Sequence, residues 1–324
     1  MTAVLAAVRE RYGPPEVVRV TEVPTPVPGP GELLVRVRCT TVNRTDCAYR
    51  AGVPRVTRLF TGVRRPRATV LGTEFAGVVV AVGSAVDGHA VGDRLFGYVE
   101  GRFGAHAEHL TVRADGFLAR VPDGVPDDVA AAATEGAHYA VAVLRRARVA
   151  AAEDVLVHGA TGAIGSAVVQ LLHALGAHVT AVCDGARADL VRSLGAERVI
   201  DRATEDFHAD PHRYDVVVDA VGKSSFRRCR RLLRPGGRYV STDLGRLAQN
   251  PLLALVTPLL PGPRVVFPVP VQDPSLPAQL RDMLAAGTFR PVLDEHRWPL
   301  SRIVEAHRYV DSGQKTGSVV IEVG

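Results

Sequence analysis

The stretch Asp154-Val-Leu-Val-His-Gly-Ala-Thr-Gly-Ala-Ile-Gly165 constrains the chain more than any other. Val155, Leu156 and Val157 form a short β-branched and aliphatic run, suited to a strand buried on both faces. The chain then turns through Gly159, Gly162 and Gly165 into an apolar segment, Ile164 to Leu175, that reads as a helix. Strand, glycine turn and helix in that order bring free backbone N–H groups and the positive end of a helix dipole to one point. A dinucleotide pyrophosphate requires that arrangement, and glycine lets the backbone approach it closely. The spacing is G-x-x-G-x-x-G rather than the commoner G-x-G-x-x-G, so an ordinary strand-to-helix turn is the alternative; the flanking strand and helix favour the nucleotide. Thr161, Gly162, Ala163 and Ile164 are the residues expected to face the phosphates.

A second strand, Ala177 to Cys183, follows and ends at Asp184-Gly-Ala-Arg187. The end of the second strand of a Rossmann unit is where the adenosine ribose binds; an acid there favours NAD and an arginine accommodates a 2′-phosphate. Both are present. Asp184 alternatively caps a helix beginning near Arg187, and Arg187 alternatively is a solvated surface charge.

Around this centre the chain changes texture. Val4–Val8, Val17–Val23, Leu33–Thr41 and Gly77–Val82 read as strands, punctuated by the prolines and glycines of residues 24–31. Residues 1–120 therefore read as short strands rather than helices, the pattern of a small β-barrel. Asp127 to Arg148 is alanine-rich, with acids in its first turn and arginines in its last, and is expected to be one helix. From Asp154 onward, strands near 155, 179, 198, 215, 238 and 264 alternate mostly with helices, which means a doubly wound parallel sheet. Pro291–Trp298, Ser301–Val310 and Ser318–Val323 make a last strand, helix and strand, expected to return to the first domain.

Composition narrows the function. The formal net charge is +5, carried almost wholly by arginine, since Lys223 and Lys315 are the only lysines. No basic stripe interleaved with aromatics occurs, so no nucleic-acid partner is expected; an anionic cofactor suits the mild excess. Cys39, Cys47, Cys183 and Cys229 show no C-x-x-C spacing and read as reduced thiols of a cytoplasmic protein. No signal peptide is visible, and the apolar stretch near Leu252–Leu260 is too short to span a bilayer, so no membrane partner is expected either.

Seven ordered motifs then extend the reading along nearly the whole chain. They are Pro28-Gly-Pro-Gly-Glu32; Val42-Asn43 with Asp46; Leu71-Gly-Thr-Glu-Phe-Ala-Gly77; Val91-Gly-Asp-Arg-Leu-Phe-Gly97; the turn Gly159–Gly165; Asp219-Ala-Val-Gly222 with Arg234-Pro-Gly-Gly237; and Lys315-Thr-Gly317. In these the chain resembles the medium-chain dehydrogenase/reductase superfamily, in its zinc-free quinone-oxidoreductase branch. The resemblance implies an α/β protein with a GroES-like β-barrel catalytic domain (1–122), a Rossmann domain (123–268), a return to the catalytic domain (269–324), and an active site in the cleft between the domains. It implies hydride transfer linked to NAD(P), with Val221 and Lys315 joining the glycine turn as cofactor-binding residues.

The resemblance also supplies a metal test. Zinc-dependent alcohol dehydrogenases place a cysteine where this chain has Asn43 and a histidine where it has Thr73. Neither amide nor hydroxyl suits a site built for thiolate and imidazole, so no metal is expected. Catalysis must then rest on positioning and hydrogen bonding. Asn43 is the residue implied to orient substrate or the nicotinamide ribose. Tyr49 either donates a proton to a developing enolate or is a pocket-wall aromatic, and Asp46 is expected to cap a turn. Relatives carry a basic residue at the position of Arg187 and often a tyrosine at that of Arg202; two arginines can grip a 2′-phosphate, which Asp184 would repel. NADP(H) is favoured over NAD(H).

The expected function is zinc-independent, NADPH-dependent reduction of a conjugated carbonyl or quinone-like small molecule, by a protein expected to be a homodimer. The alternatives are a zinc-free ketone reductase or alcohol dehydrogenase, and a catalytically silent nucleotide-binding scaffold. Residues 55–67 and 244–263, both of loop type, are where substrate specificity is expected.

Overall fold

The computed structural model describes residues 3–99 and 101–324. The chain divides into two compact units, the first ending at Glu135 and resuming from Gln272 to Gly324, the second running from Gly136 to Val271.

In the first unit the strand Glu32–Val42 is the axis, pairing antiparallel with Glu74–Val82, His109–Arg113 and Ser318–Glu322. Leu33, Val35 and Val37 are buried in a core with Phe75, Val79, Leu95, Leu110 and Val112, while Arg36 and Arg38 face solvent. That alternation is the period-two pattern of a half-buried strand. The terminal strand sets Val319 opposite Val42 and Ile321 opposite Thr40. The last 50 or so residues thus belong to the first unit. The helix Ile303–Ser312 buries Ile303, Ala306 and Val310 against Val42, Cys47, Val319 and Ile321.

Three features of this region depart from the expectation. A helix, Arg44–Ala51, stands in the stretch read as all strand. Asn43 caps it: its Oδ1 accepts from Asp46 N at 2.8 Å and Asp46 Oδ2 accepts from Asn43 N at 3.1 Å. This reciprocal box satisfies two backbone donors and lets an eight-residue helix form where the apolar pattern gives no helical period. The alanine-rich stretch is two helices, Asp127–Ala131 and Thr134–Ala147, rather than one. The break has a cause: Glu74 Oε1 accepts from Thr134 N at 3.1 Å and Glu135 N at 2.6 Å, donors that a continuous helix would turn toward its own carbonyls. A further helix, Leu276–Ala285, buries Leu276, Leu280 and Leu284 at four-residue spacing.

The second unit is a six-stranded parallel sheet in the order Arg198–Asp201, His178–Cys183, Asp154–His158, Tyr214–Asp219, Leu233–Ser241, Arg264–Val266. The order reverses direction beside Asp154–His158, so this strand's carboxyl end is the switch point at which such sheets bind ligands. Leu156, Val182, Ile200, Tyr214, Val217 and Tyr239 fill one core layer.

Candidate cofactor and active site

The glycine turn leaves the strand Asp154–His158 at that switch point and enters the helix Ala163–Leu175. Its glycines have different reasons. Gly159 lies at φ +84°, and a Cβ there would come within 2.4 Å of Val221 Cγ1. A Cβ on Gly165 would come within 2.1 Å of the Gly159 carbonyl oxygen. Gly162 is the helix N-cap in an extended conformation, and a Cβ there would meet only the Gly159 carbonyl oxygen, at an ordinary 3.5 Å. Of the two reasons for a glycine at this position, close approach of a phosphate or strain in the turn, the room left around Gly162 speaks for the first. Thr161, Gly162, Ala163 and Ile164 are all half-buried, and the first-turn N–H groups of the helix lack intrahelical acceptors. The turn thus offers donors, a dipole end and a side-chain-free cradle, which fit a pyrophosphate.

Val221 packs against the turn and belongs to a loop fastened by one carboxylate. Asp219 Oδ1 accepts from Val221 N at 3.3 Å, Gly222 N at 3.0 Å and His158 Nδ1 at 3.1 Å; Oδ2 accepts from Ser224 N at 2.9 Å and the Tyr239 hydroxyl at 3.2 Å. Burial alone would raise its pKa, but the His158 contact and the backbone donors outweigh burial and hold Asp219 below the usual carboxylate range. An ionised carboxylate only accepts, so His158 carries its proton on Nδ1. The residue before the turn and the loop behind it are thereby tied together.

At the adenosine end, Asp184 and Arg202 form a two-pronged ion pair, Nε–Oδ1 2.6 Å and Nη2–Oδ2 2.7 Å. Both side chains are about half exposed, at 51%. Asp184 makes no side-chain cap, so its alternative reading as a helix cap is corrected: the Arg202 guanidinium takes its carboxylate instead. The carboxylate expected to repel a 2′-phosphate is thus paired with one of the two arginines expected to grip it. Arg187, the last residue of the turn Gly185–Arg187, is exposed.

Asn43, Tyr49 and Lys315 lie in the first unit. Asn43 is buried, its Oδ1 committed to the capping box and its Nδ2 donating to Thr73 Oγ1 at 3.3 Å. The two positions that hold zinc ligands in zinc enzymes thus bond to each other here. Burial pushes Asp46 up to about 8, against the pull of the Asn43 N–H. Tyr49 sits in the last turn of the same helix, half-buried, its ring edge-on to Phe103 at 4.9 Å. Six residues of helix separate it from Asn43 by about 9 Å along the axis. Glu74, fully buried, also accepts from Thr41 Oγ1 at 2.6 Å and Thr134 Oγ1 at 2.8 Å, and burial raises its pKa against these donors. Lys315 donates to the Gly317 carbonyl; burial of its ammonium lowers its pKa, and the nearby carboxylates of Glu135 and Asp294 oppose this.

Two polar residues of this cluster went unnoticed in the sequence. Thr45 Oγ1 donates to Glu135 Oε1, linking the start of the Arg44–Ala51 helix to the carboxylate beside Lys315. In sequence Glu135 falls inside the stretch expected to be one helix, and nothing in its spacing ties it to Thr45 or Lys315, 90 residues before it and 180 after. Among the described residues no group of three or more metal-ligating side chains converges.

With the parallel nucleotide sheet and the GroES-like unit in view, comparison with known proteins places the chain. The family model "Alcohol dehydrogenase GroES-like domain" matches residues 29–123, and "Zinc-binding dehydrogenase" matches residues 194–321. The chain is 32% identical over 300 residues to an NADPH-dependent alkenal/one oxidoreductase of Arabidopsis thaliana, covering 90% of this chain and 72% of that one. It is 31% identical over 328 residues to a quinone oxidoreductase of Pseudomonas aeruginosa, covering 96% and 97%. In fold it matches a quinone oxidoreductase of Coxiella burnetii with a TM-score of 0.89 at 23% identity, over 100% of both chains. The chain belongs to the medium-chain dehydrogenase/reductase superfamily, in its quinone-oxidoreductase-like branch. It is an oxidoreductase of the medium-chain type.

Proposed function

We propose that this enzyme reduces the C=C bond of a conjugated carbonyl or quinone-like small molecule with NADPH, without zinc. The observation that carries the reading is the Asn43–Thr73 hydrogen bond: an amide and a hydroxyl, bonded to each other, stand where a Lewis acid's thiolate and imidazole would be. Reduction of an isolated ketone leans on such an acid at the carbonyl oxygen, whereas an activated alkene accepts hydride at carbon with its charge already delocalised. The Arabidopsis relative, an NADPH-dependent alkenal/one oxidoreductase, supports the same reading.

The nicotinamide supplies a hydride when bound. The chain's part is to hold it: the Ala163–Leu175 helix start and Gly162 take the pyrophosphate, and Asp219 keeps Val221 against the turn. Arg187 and Arg202 take the 2′-phosphate. Arg202's bond to Asp184 offsets part of that carboxylate's repulsion but also engages Arg202, so the preference for NADPH over NADH is carried by the exposed Arg187 and would grow without Asp184. Asn43 fixes the start of the Arg44–Ala51 helix and retains one amide N–H for substrate or ribose. Tyr49 or solvent returns the proton to the enolate carbon, so one hydride and one proton add across the double bond. A homodimer belongs to this reading; Leu252, Leu255, Leu259, Val269 and Val271 are exposed around the sheet-edge strand Arg264–Val266.

Product analysis with enones, quinones and saturated ketones tests the function. Turnover of enones with C=C products is expected; alcohol products from saturated ketones would support the ketone reductase, and no turnover the silent scaffold. Metal analysis is expected to find no stoichiometric zinc, and chelators should leave turnover unchanged.

A further inference from the structure

The segment 53–67, directly after the Arg44–Ala51 helix, combines two properties seldom left exposed together. No acidic residue stands between Asp46 and Glu74, while Arg55, Arg58, Arg64, Arg65 and Arg67 fall in this segment. Among them stand Val53, Val56, Leu59, Phe60 and Val63, exposed by 55, 48, 62, 77 and 63%.

This exposure is built rather than incidental. The Arg58 guanidinium lies 4.6 Å over the Tyr12 ring and its Nε donates to the Gly52 carbonyl at 3.0 Å. The Tyr12 hydroxyl bonds Thr61 Oγ1 at 2.8 Å and donates to the Gly62 carbonyl at 2.7 Å. Gly62, at φ +122°, makes a turn no side chain would allow, since a Cβ would lie 2.1 Å from the Arg65 carbonyl oxygen. One arginine is thus spent fastening the segment from beneath. Arg55, Arg64, Arg65 and Arg67 are exposed, and none is ion-paired among the described residues.

We propose that this face docks the enzyme on an anionic phospholipid surface. Headgroup phosphates and carboxylates answer the four arginines, and the acyl boundary receives Leu59, Phe60 and Val63, so both properties are met by one partner. A second copy of the chain would set the same arginines against themselves. An acidic protein would answer the charge but would also need an apolar recess for five side chains. No membrane span is required, and no helix of the described residues is long and apolar enough to form one. Residues 55–67 were expected to carry substrate specificity; the exposure of Val56, Leu59, Phe60 and Val63 supports a surface role for the segment instead.

Co-sedimentation of the purified protein with phosphatidylcholine vesicles, with and without phosphatidylserine, tests it. Binding is expected only with phosphatidylserine, weakening as salt rises. Arg64→Glu with Arg65→Glu should lower the partition at least tenfold, each arginine near an anionic surface contributing roughly a factor of five. Phe60→Ser, which leaves the charge unaltered, should lower it severalfold. Circular dichroism should show both variants folded, because the replaced side chains are exposed. Failure of the wild type to sediment with phosphatidylserine vesicles would overturn the proposal, as would variants that partition like wild type. Binding of polyglutamate without vesicle uptake would assign the face to an acidic protein and overturn it equally.

Discussion

Asp219 gathers five donors on one fully buried carboxylate, and its loss leaves each of them without its acceptor. Asp219→Asn keeps the shape but removes the charge and turns one acceptor into a donor. The variant should lose on the order of 3 kcal/mol of stability in urea titrations. Its folded pKa is depressed, so the stabilisation is present above about pH 4 and is lost as pH falls through the lower, folded value; the wild type should show this acid limb and the variant should not. At the adenosine end, Arg187→Ala should weaken NADPH binding by about one to two decades, from the roughly 1.5–3 kcal/mol of a charge-assisted contact, and leave NADH nearly unchanged. Asp184→Ser should release Arg202 and raise NADPH affinity. Fluorescence titration of both cofactors reads these changes. A wild type that prefers NADH, with Asp184→Ser lowering NADH affinity, would mean that Asp184 holds the ribose hydroxyls.

At the scale of elements, the glycine turn separates conformation from binding. Gly159→Val faces a positive φ and the Val221 side chain together and should destabilise by roughly 1–3 kcal/mol from the backbone alone, with more from the clash. A Cβ at Gly162 meets no such contact, so Gly162→Val should melt within a few degrees of wild type yet lose nucleotide binding, because its side chain projects where a phosphate must come. Calorimetry and nucleotide titration on the two variants should therefore give opposite patterns. Equal nucleotide affinity in Gly162→Val would make the turn purely structural. The strands of the nucleotide sheet and their spacing were legible in the sequence because each is a short apolar run between turn signals. The Arg44–Ala51 helix was not, because a reciprocal side-chain cap rather than an apolar period starts it. The break in the alanine-rich stretch was illegible for a different reason. Glu74, 60 residues earlier, supplies the acceptor that splits it.

Across the whole molecule, the first unit buries His106 and His307 with no opposite charge acting on either. His106 is fully buried, its Nε2 2.8 Å from the Thr41 carbonyl oxygen, and burial lowers it to about 4. Burial also lowers His307, whose ring stands edge-on to that of His106 at 5.8 Å. A histidine neutral in the folded state and basic in the unfolded one contributes stability above about pH 6.5 that falls away toward its folded value. Asp46, raised to about 8, works in the opposite direction as pH rises. The clean measurement is therefore a difference: the stability gap between wild type and His106→Gln should change by on the order of 3 kcal/mol between pH 7 and pH 4. A gap that stays constant over that range would mean that His106 does not titrate differently in the two states.

The sequence by itself determined the parallel nucleotide sheet, the β-rich first unit and the position of the glycine turn. These depend on local periods and on glycine spacing, which a linear chain carries on its surface. Tertiary structure alone decided how the candidate site residues are committed. Asp184 bonds Arg202, Asn43 bonds Thr73, Thr45 finds Glu135, and Asp219 fastens the loop of Val221 to His158. Each pairing joins positions that lie from 18 to 90 residues apart in sequence. Side-chain hydrogen bonds act over about 3 Å in space and leave no period in the sequence, so only the folded chain could reveal them.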